Sequence, residues 1–338
     1  MKKMSINIKT INYFKFIAII FGTIFGVITI SFADDDPLKL SKSGSEKVFL
    51  NPKPWSGYWW SRKEGENLEA FDKYDHYVRA NGKPDPRSYF WEKDIKNGHY
   101  DPSSPGWAGH CNGWSAASIL EPEPLQPQTV KGVTFSVADQ KALLSEMYMD
   151  CYTEFYGERN ESFLPKSRDF PPDLFHRLLV DNLKNKKRGI VADTSNSASV
   201  WNYPICGYES HWNNIPLLPS QIRVTTTVYY ADDDVDANFV GNKPMVKTYH
   251  YILSLNKKGE VIKGIWELQS QFDHPDFIWI PTGDSPSQGD ENPKLDPFFV
   301  HQITRGGEAV IQPIQPNFDI EAENVLTEAG LRVENILK

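Results

Sequence analysis

The chain has 338 residues, of which 40% are hydrophobic and 24% are charged, and this ordinary globular composition excludes a largely disordered protein. Its length suffices for one large domain or two modest ones. The formal net charge is −8 and becomes −12 without residues 1–33, because that segment holds four Lys and no acid. Such an acidic surface repels phosphate backbones and excludes nucleic acid as a partner.

The N-terminal segment predicts the compartment. Its four lysines precede an uncharged stretch at residues 16–33, which ends in Ser31-Phe32-Ala33. A basic region, an apolar region and small residues at the boundary are typical of a secretory signal peptide. We therefore expect cleavage after Ala33 and a secreted or periplasmic protein that is not integral to a membrane. A retained N-terminal anchor is the alternative, because the stretch has a marginal length for a membrane span.

The next segments divide the chain into a lead-in and one domain. Residues 34–54 are polar and predict a flexible lead-in, and residues 55–338 are expected to form a single domain. Residues 81–106 contain several prolines and little apolar periodicity, which predicts a loop on the surface.

Two helices are predicted in the first half of the domain. Ser136 and Asp139 have the spacing of a capping box, and apolar residues follow at three- and four-residue steps from Leu143 to Phe155, a face that includes Cys151. A second helix is predicted to begin near Pro171-Pro172-Asp173 and to run beyond residue 180.

Strands dominate after residue 222. Runs rich in β-branched and aromatic residues occur at 222–231, 245–255, 260–269 and 277–281, with a turn at 256–259. This order predicts an α+β fold with a mainly helical lobe at 55–221 and an antiparallel β lobe at 222–338.

The most informative segment surrounds Cys111. Cys111 is one of three cysteines, so at most one disulfide forms and at least one thiol is left over. It follows Gly109-His110 and precedes small residues with helix potential, which places it at a predicted helix N-terminus. The positive end of the helix dipole favours a thiolate there, and free backbone N–H groups can receive an oxyanion. Cys111 is therefore the candidate nucleophile.

A nucleophilic cysteine needs a base and a group that orients the base. His250 lies in a predicted strand 139 residues after Cys111, an order and distance typical of papain-like enzymes. Two acids compete for the third position. The turn at 256–259 places Glu267 on the strand beside His250, whereas Asp276 lies at the start of the next strand. The fold prediction is thus papain-like, with the cysteine on a helix facing the histidine on the sheet.

At residues 200–209 the chain resembles the transglutaminase elicitor family of oomycetes and bacteria. The segment matches the Val-Trp-Asn-x-Pro-x-x-Gly core of a peptide that plants sense, through the positions Val200, Trp201, Asn202, Pro204 and Gly207. Shorter family-like motifs occur at 54–59, 111–114 and 274–279.

This resemblance implies a calcium-dependent transglutaminase with a Cys-His-acid site, in which Cys111, His250 and Asp276 occupy the three positions. Two departures stand out: Cys206 replaces a basic residue of the peptide, and Ile265 replaces an expected acid.

Further residues receive predicted roles. A disulfide between Cys151 and Cys206 would leave Cys111 free, and two buried thiols are the alternative. Calcium, if bound, needs clustered oxygen ligands, for which the candidates are the acidic residues of one loop; a solvated acidic turn is the alternative. The loop residues are Asp232, Asp233, Asp234 and Asp236.

The expected reaction is acyl transfer between proteins. The thiolate of Cys111 attacks a glutamine side chain, and an amine then resolves the thioester; the partners are glutamine-bearing proteins and amine donors. Trp107, Asn112 and Trp114 are predicted to line a site that excludes water. The rivals are a papain-like cysteine peptidase, a glutamine deamidase, and a secreted protein without activity that binds through an aromatic surface. That surface would comprise Trp55, Tyr58, Trp59 and Trp60.

Overall fold

The structure is a computed structural model, which describes residues 37–96, 98–159, 170–194, 199–283 and 292–306. The predicted signal peptide at 1–33 and the start of the lead-in at 34–36 lie outside the described residues. Within the described ranges, no helix has the length and apolar character needed to cross a bilayer.

An eight-stranded antiparallel sheet forms the centre of the fold. Seven strands follow the order β4-β10-β5-β6-β7-β8-β9, and β1 pairs with β6 beside β5. The strands are β1 Gly44–Phe49, β4 Tyr152–Gly157, β5 Val191–Asp193, β6 Asn202–Ile215, β7 Leu218–Ala231, β8 Pro244–Leu255, β9 Val261–Trp266 and β10 Phe277–Gly283. A separate hairpin joins β2 Gln128–Val130 to β3 Val133–Phe135.

Helices cover both faces of this sheet. They are α1 Leu68–Ala80, α2 Ser88–Lys93, α3 Cys111–Leu120, α4 Val137–Met147, α5 Pro172–Leu178 and α6 Pro297–Thr304. A π-helical segment, Leu179–Lys186, extends α5, and a 3₁₀ turn spans Leu268–Gln271.

The sheet separates two hydrophobic cores. Ile278 belongs to the core under α5, whereas its neighbour Trp279 belongs to the core under α3 and α4, because successive strand side chains point to opposite faces. Phe175 of α5 and Trp114 of α3 are both fully buried in these cores. The second core thus fixes α3 on the sheet beside β6 and β10.

The capping-box helix is confirmed at its start and wrong at its end. Ser136 Oγ accepts a hydrogen bond from the Asp139 N–H at 3.0 Å, and Asp139 Oδ2 accepts from the Ser136 N–H at 2.7 Å. The helix ends at Met147, however, and the predicted continuation through Phe155 is instead strand β4. Pairing of β4 with β10 therefore overrides the helical periodicity of this segment.

The predicted strands are confirmed as β7, β8, β9 and β10, and the second helix as α5 with its π-helical extension. Strand β9 ends at Trp266, however, so Glu267 lies after the strand and before the 3₁₀ turn. The predicted division into a helical lobe before residue 222 and a β lobe after it is wrong, because strands of the sheet come from both parts. Strand β1 lies within the predicted lead-in, and β4, β5 and β6 also precede residue 222. Helix α2 lies within the predicted loop at 81–106. The residues before 222 thus supply four of the eight strands of the sheet, and the mixed α+β class is confirmed without two separate lobes.

Candidate active site

Two glycines allow the start of α3 to pack closely. A Cβ atom on Gly109 would lie 2.4 Å from the carbonyl oxygen of Trp59, and one on Gly113 would lie 2.0 Å from that of Ser145. The backbone therefore passes against the 59–60 segment on one side and α4 on the other. Cys111, the first residue of α3, is held between these contacts, as predicted.

The thiol of Cys111 faces the first residue of the central strand β6. Cys111 is 7% exposed, and the side-chain amide nitrogen of Asn202 lies 3.4 Å from its sulfur. The indole N–H of Trp279 donates to Asn202 Oδ1 at 2.9 Å. Because an indole nitrogen only donates, this bond directs the amide NH₂ group toward the sulfur. Ser115 Oγ also donates to the backbone oxygen of Asn202 at 2.7 Å, so Asn202 is fixed at three points.

Burial and nearby negative charges raise the pKa of this thiol. Burial raises the pKa of Cys111 above its ordinary value of 9.0, and the hydrogen bonds from Asn202 partly oppose this. The negative charges of Asp233 and Asp193 raise the pKa further. The resting thiol is therefore protonated at neutral pH, and its use as a nucleophile requires a proton acceptor.

Asp233 is a buried carboxyl near the thiol. It follows the end of β7, is 2% exposed, and has one oxygen, Oδ2, without a hydrogen-bond partner. Burial raises the pKa of Asp233 to about 7, although hydrogen bonding with the Tyr203 hydroxyl lowers it. Burial and the charge of Asp233 also raise the pKa of Tyr203. Asp233 was predicted only as a calcium ligand, because its inward orientation follows from the packing of β7 and not from the sequence.

His250 does not lie beside Cys111. It is opposite Thr225 in the β7–β8 pairing, and its Nδ1 atom is 3.2 Å from Thr225 Oγ1. The partners of Cys111 lie beyond the other end of β7, at Ala231. Six residues separate Thr225 from Ala231, which corresponds to about 20 Å of strand. The predicted pairing of Cys111 with His250 is therefore wrong, because the register places the imidazole far along the sheet.

The two predicted acids do not orient His250 either. Glu267 makes a two-point ion pair with Arg223, at 2.7 and 3.1 Å. Only the backbone of Glu267 meets His250, through its N–H and the His250 oxygen. Asp276 is buried just before β10, and the side chain that bonds to the His250 ring is that of Thr225. A Cys-His-acid triad of the predicted composition is thus not assembled by these residues.

The predicted wall residues have mainly structural contacts. Trp114 is fully buried, and Gly57 packs so closely on it that a Cβ atom there would lie 2.0 Å from the indole nitrogen. Asn112 Nδ2 donates to the Met149 oxygen at 2.8 Å and ties α3 to the end of α4. Trp107 is half-buried. The tryptophan that contacts the thiol's partner is instead Trp279.

The predicted aromatic surface is mostly interior. Trp55 and Trp60 are 3% and 2% exposed and belong to the core beneath α3 and α4. Tyr58 and Trp59 are half-buried, with ring centroids 4.5 Å apart. These side chains therefore stabilise the core more than they offer a binding surface.

The Val-Trp-Asn segment forms part of the sheet. Asn202–Ile215 is β6, where Pro204 pairs with Val191, and a Cβ atom on Gly207 would lie 2.5 Å from the Val48 oxygen of β1. The Trp201 N–H donates to Asp193 Oδ1 at 3.3 Å, and Val200 is half-buried beside the core of α3. The segment therefore carries Asn202 to the thiol and lies in the centre of the sheet.

The predicted disulfide is not formed. Cys206 is a free, buried thiol, and its sulfur lies 3.0 Å from Asn242 Nδ2. Burial raises the pKa of Cys206 to about 12, which makes it a poor nucleophile. Cys206 is directed toward Asn242 and not toward Cys151.

The acidic loop does not fit a calcium site. Asp232 Oδ2 lies 2.9 Å from Lys243 Nζ, Asp236 Oδ1 accepts from the Asn238 N–H, and Asp233 turns into the interior. The neighbouring Asp234 N–H donates to the other oxygen of Asp232. Carboxyls used in this way do not converge on one cation. Among the described residues, a cluster with metal-ligand spacing occurs elsewhere, behind α3.

These features define a class of protein. The chain is a mixed α+β protein with a buried cysteine at a helix N-terminus, set against the end of an antiparallel sheet and hydrogen-bonded to a side-chain amide that a tryptophan holds. The chain belongs to the transglutaminase elicitor family, whose sequence model matches residues 93–231 and 221–290.

A solved structure shares the fold. The crystal structure of the GP42 transglutaminase from Phytophthora sojae aligns with a TM-score of 0.62 and 23% sequence identity, over 77% of this chain and 91% of that chain. No curated protein matches the chain. At this identity the likeness shows the fold alone, and it confirms the mixed helix and antiparallel sheet architecture.

Proposed function

We propose that the chain is a cysteine-dependent acyltransferase that forms a thioester with a glutamine side chain and passes the acyl group to an amine. One observation carries this proposal: the Cys111 thiol begins α3 and faces the amide of Asn202, which Trp279 holds in position. Membership of the transglutaminase elicitor family supports the same reaction class.

Asn202 supports the proposed attack on the carboxamide. As the Cys111 sulfur bonds to the carbonyl carbon, negative charge develops on the carbonyl oxygen. The amide NH₂ of Asn202 and the backbone N–H groups that a helix leaves unpaired in its first turn are donors suited to this charge. Donors of this kind typically contribute about 10²–10³-fold to the rate.

Asp233 is the proposed proton acceptor in place of a histidine. Its pKa of about 7 makes the carboxylate a stronger base than an ordinary aspartate, and the carboxylate form is available at neutral pH. It removes the thiol proton as the carbon–sulfur bond forms, and it returns a proton to the departing ammonia. In the second half-reaction it accepts a proton from the attacking amine, which forms an isopeptide bond and restores the thiol.

Transfer to an amine requires that water be excluded from the thioester. Aromatic rings extend from the site: Trp59 lies 6.5 Å from Trp201, and Trp201 stacks at 6.5 Å on Tyr203. With Trp279 beside the amide, these rings supply apolar walls. If water reaches the thioester, the same thiol chemistry gives glutamine deamidation, or peptide cleavage with a backbone substrate, and these hydrolytic activities are the second candidate function.

We also propose calcium dependence, which the family resemblance implies, and export, which the N-terminal sequence predicts. Asp233 has a role in proton transfer in this scheme, and no step of the reaction is assigned to calcium.

The test measures amine transfer, ammonia release and thiol reactivity on the purified full chain. We expect a fluorescent primary amine to be incorporated into casein, with ammonia released in equal amount, and Cys111→Ala to abolish both. Cys206→Ala is the matched control, because it removes another buried thiol, and it should retain most of the activity. Each assay is run with calcium and with a chelator.

The outcomes separate the candidate functions. Ammonia without amine incorporation indicates a deamidase, and casein fragments indicate a peptidase. If Cys111 is no more reactive toward iodoacetamide than Cys206 and no turnover is detected, the acyltransferase proposal is wrong and a binding protein remains.

A further inference from the structure

Four buried side chains with metal-ligand chemistry meet behind the start of α3. They come from α2, the segment that follows it, the residue before α3, and α4: Glu92, His99, His110 and Glu146. One ligand atom from each lies within 4.8 Å of every other, and all four residues are buried. None of them has a role in the reaction proposed above.

The spacing of these atoms is close to that of ligands around one metal ion. His110 Nε2 lies 3.0 Å from Glu146 Oε2, and His99 Nδ1 lies 3.2 Å from Glu146 Oε1. Both imidazole nitrogens lie 3.5 Å from Glu92 Oε1. Tetrahedral zinc with bonds of about 2.0–2.2 Å separates its ligand atoms by about 3.3–3.6 Å. The contacts with Glu92 match this separation and are too long for hydrogen bonds of about 2.7–3.2 Å, whereas the contacts with Glu146 are shorter.

Two atoms of the cluster lack a well-aligned hydrogen bond. His99 Nδ1 and Glu146 Oε2 are fully buried, and their contacts at 3.2 and 3.0 Å do not have hydrogen-bond geometry. Burying unsatisfied polar atoms is costly, and a bound cation satisfies both. Because these atoms point into the cluster, they are independent support for a ligand there.

Outer contacts orient the ligands. His110 Nδ1 lies 3.0 Å from the backbone oxygen of Trp60, so the Nδ1–H donates and the Nε2 lone pair is directed at the carboxylates. Asn67 Nδ2 donates to Glu92 Oε1 at 3.1 Å. The Asn292 N–H donates to Glu146 Oε1 at 2.6 Å. Hydrogen bonds of this kind orient the ligands in metal sites.

Charge balance is met by one divalent cation or, without metal, by two protons. With neutral imidazoles the cluster has two buried carboxylates, and their charge is cancelled by one M²⁺ ion. Nitrogen ligands exclude calcium and magnesium, which take oxygen ligands, and mixed imidazole and carboxylate sets suit zinc. Four protein ligands also close the coordination shell, as in structural sites.

We propose that Glu92, His99, His110 and Glu146 bind one divalent transition-metal ion of the zinc class in a closed structural site. The ion joins α2 to α4 and to His110, the residue before the nucleophile. Its role is to fix the start of α3, and hence the Cys111 sulfur, against β6.

The direct test is metal content and geometry. The full chain is incubated with Zn²⁺, dialysed and measured by elemental analysis, and we expect about one equivalent per chain. A parallel sample loaded with Co²⁺ should show the strong visible absorption of tetrahedral cobalt. Glu146→Gln and His99→Ala should lose the bound metal. His301→Gln is the matched control, because His301 pairs with Glu121 at 2.9 Å in a separate buried contact, and it should keep the metal.

Stability provides a second readout that is independent of enzymatic activity. A strong chelator should lower the Tm of the wild-type chain and leave that of folded His99→Ala unchanged. The proposal is overturned if the wild-type chain binds no Zn²⁺ or Co²⁺, or if both ligand variants retain a full equivalent. Without metal, the cluster is a buried ion-pair network of two imidazolium and two carboxylate groups. Metal binding without acyl transfer would support the metal site and contradict only the proposed function.

Discussion

The two ends of the β7–β8 pair offer very different chemistry. At the Ala231 end, α3 covers the sheet, and Cys111, Asn202 and Asp233 are buried together. At the other end, the ring of His250 is half-buried and bonds to Thr225.

The strand face between these ends is open to solvent. Thr227 is half-buried and shares a hydroxyl hydrogen bond at 3.0 Å with the exposed Thr248, and Val246 is 52% exposed. The comparison teaches that a histidine on a suitable strand is not enough to identify a catalytic base. The pKa values and the nucleophilicity of side chains depend on the elements that cover the strand.

Replacing the proposed base should have the largest effect at the buried end. Asp233→Asn is isosteric and removes the proton acceptor, so we expect kcat/KM for amine transfer to fall by about 10²–10⁴-fold. Wild-type activity should rise with pH through about 7 as the carboxyl ionises, and the variant should lack this rise. Asp236→Asn is the control, since Asp236 is an exposed acid of the same loop that accepts a hydrogen bond from the Asn238 N–H, and it should stay near wild type. An unchanged pH profile in Asp233→Asn would remove Asp233 from the mechanism.

Loss of the amide beside the thiol should rank next. Asn202→Ala removes the donor aimed at the sulfur, and we expect a loss of about 10²–10³-fold in kcat with a smaller change in KM. Asn213→Ala, at an exposed position on the same strand, is the control. A loss confined to KM would assign Asn202 to substrate binding and not to oxyanion stabilisation.

The same burial that makes Asp233 a base should destabilise the fold at high pH. Its pKa is about 7 in the folded chain, against an ordinary value of 3.8, so the folded state holds the proton more tightly. The associated stability is present below the unfolded pKa and is lost as pH rises toward 7. Asp233→Asn should therefore be more stable than wild type at pH 8, by up to about 4 kcal/mol, and by little at pH 4. Urea unfolding at the two pH values measures this difference.

The smallest effect is expected at the open end. His250→Ala removes a half-buried ring and one hydrogen bond, so we expect amine transfer within about twofold of wild type and a stability loss of about 1 kcal/mol. Thr225→Val, which removes the hydroxyl partner, should match it. A loss of activity as large as that of Asp233→Asn would contradict this difference between the two ends and would show that His250 takes part in catalysis.

The sequence by itself determined the features that depend on neighbouring residues. Ser136 and Asp139 predicted a helix start, glycines around Cys111 predicted a helix N-terminus at the thiol, and β-branched runs predicted β7 to β10. The family motif at 200–207 also followed directly from the residues. These predictions succeed because caps, turns and periodic patterns act over a few residues.

Only the tertiary structure decided which distant groups meet. The register of β7 and β8 put His250 opposite Thr225, and the central place of β6 brought Asn202 to Cys111. Packing at the end of β7 turned Asp233 inward. Strand pairing and sheet order depend on long-range contacts that no short segment encodes, and a strand's register determines both its position and the face that each side chain takes.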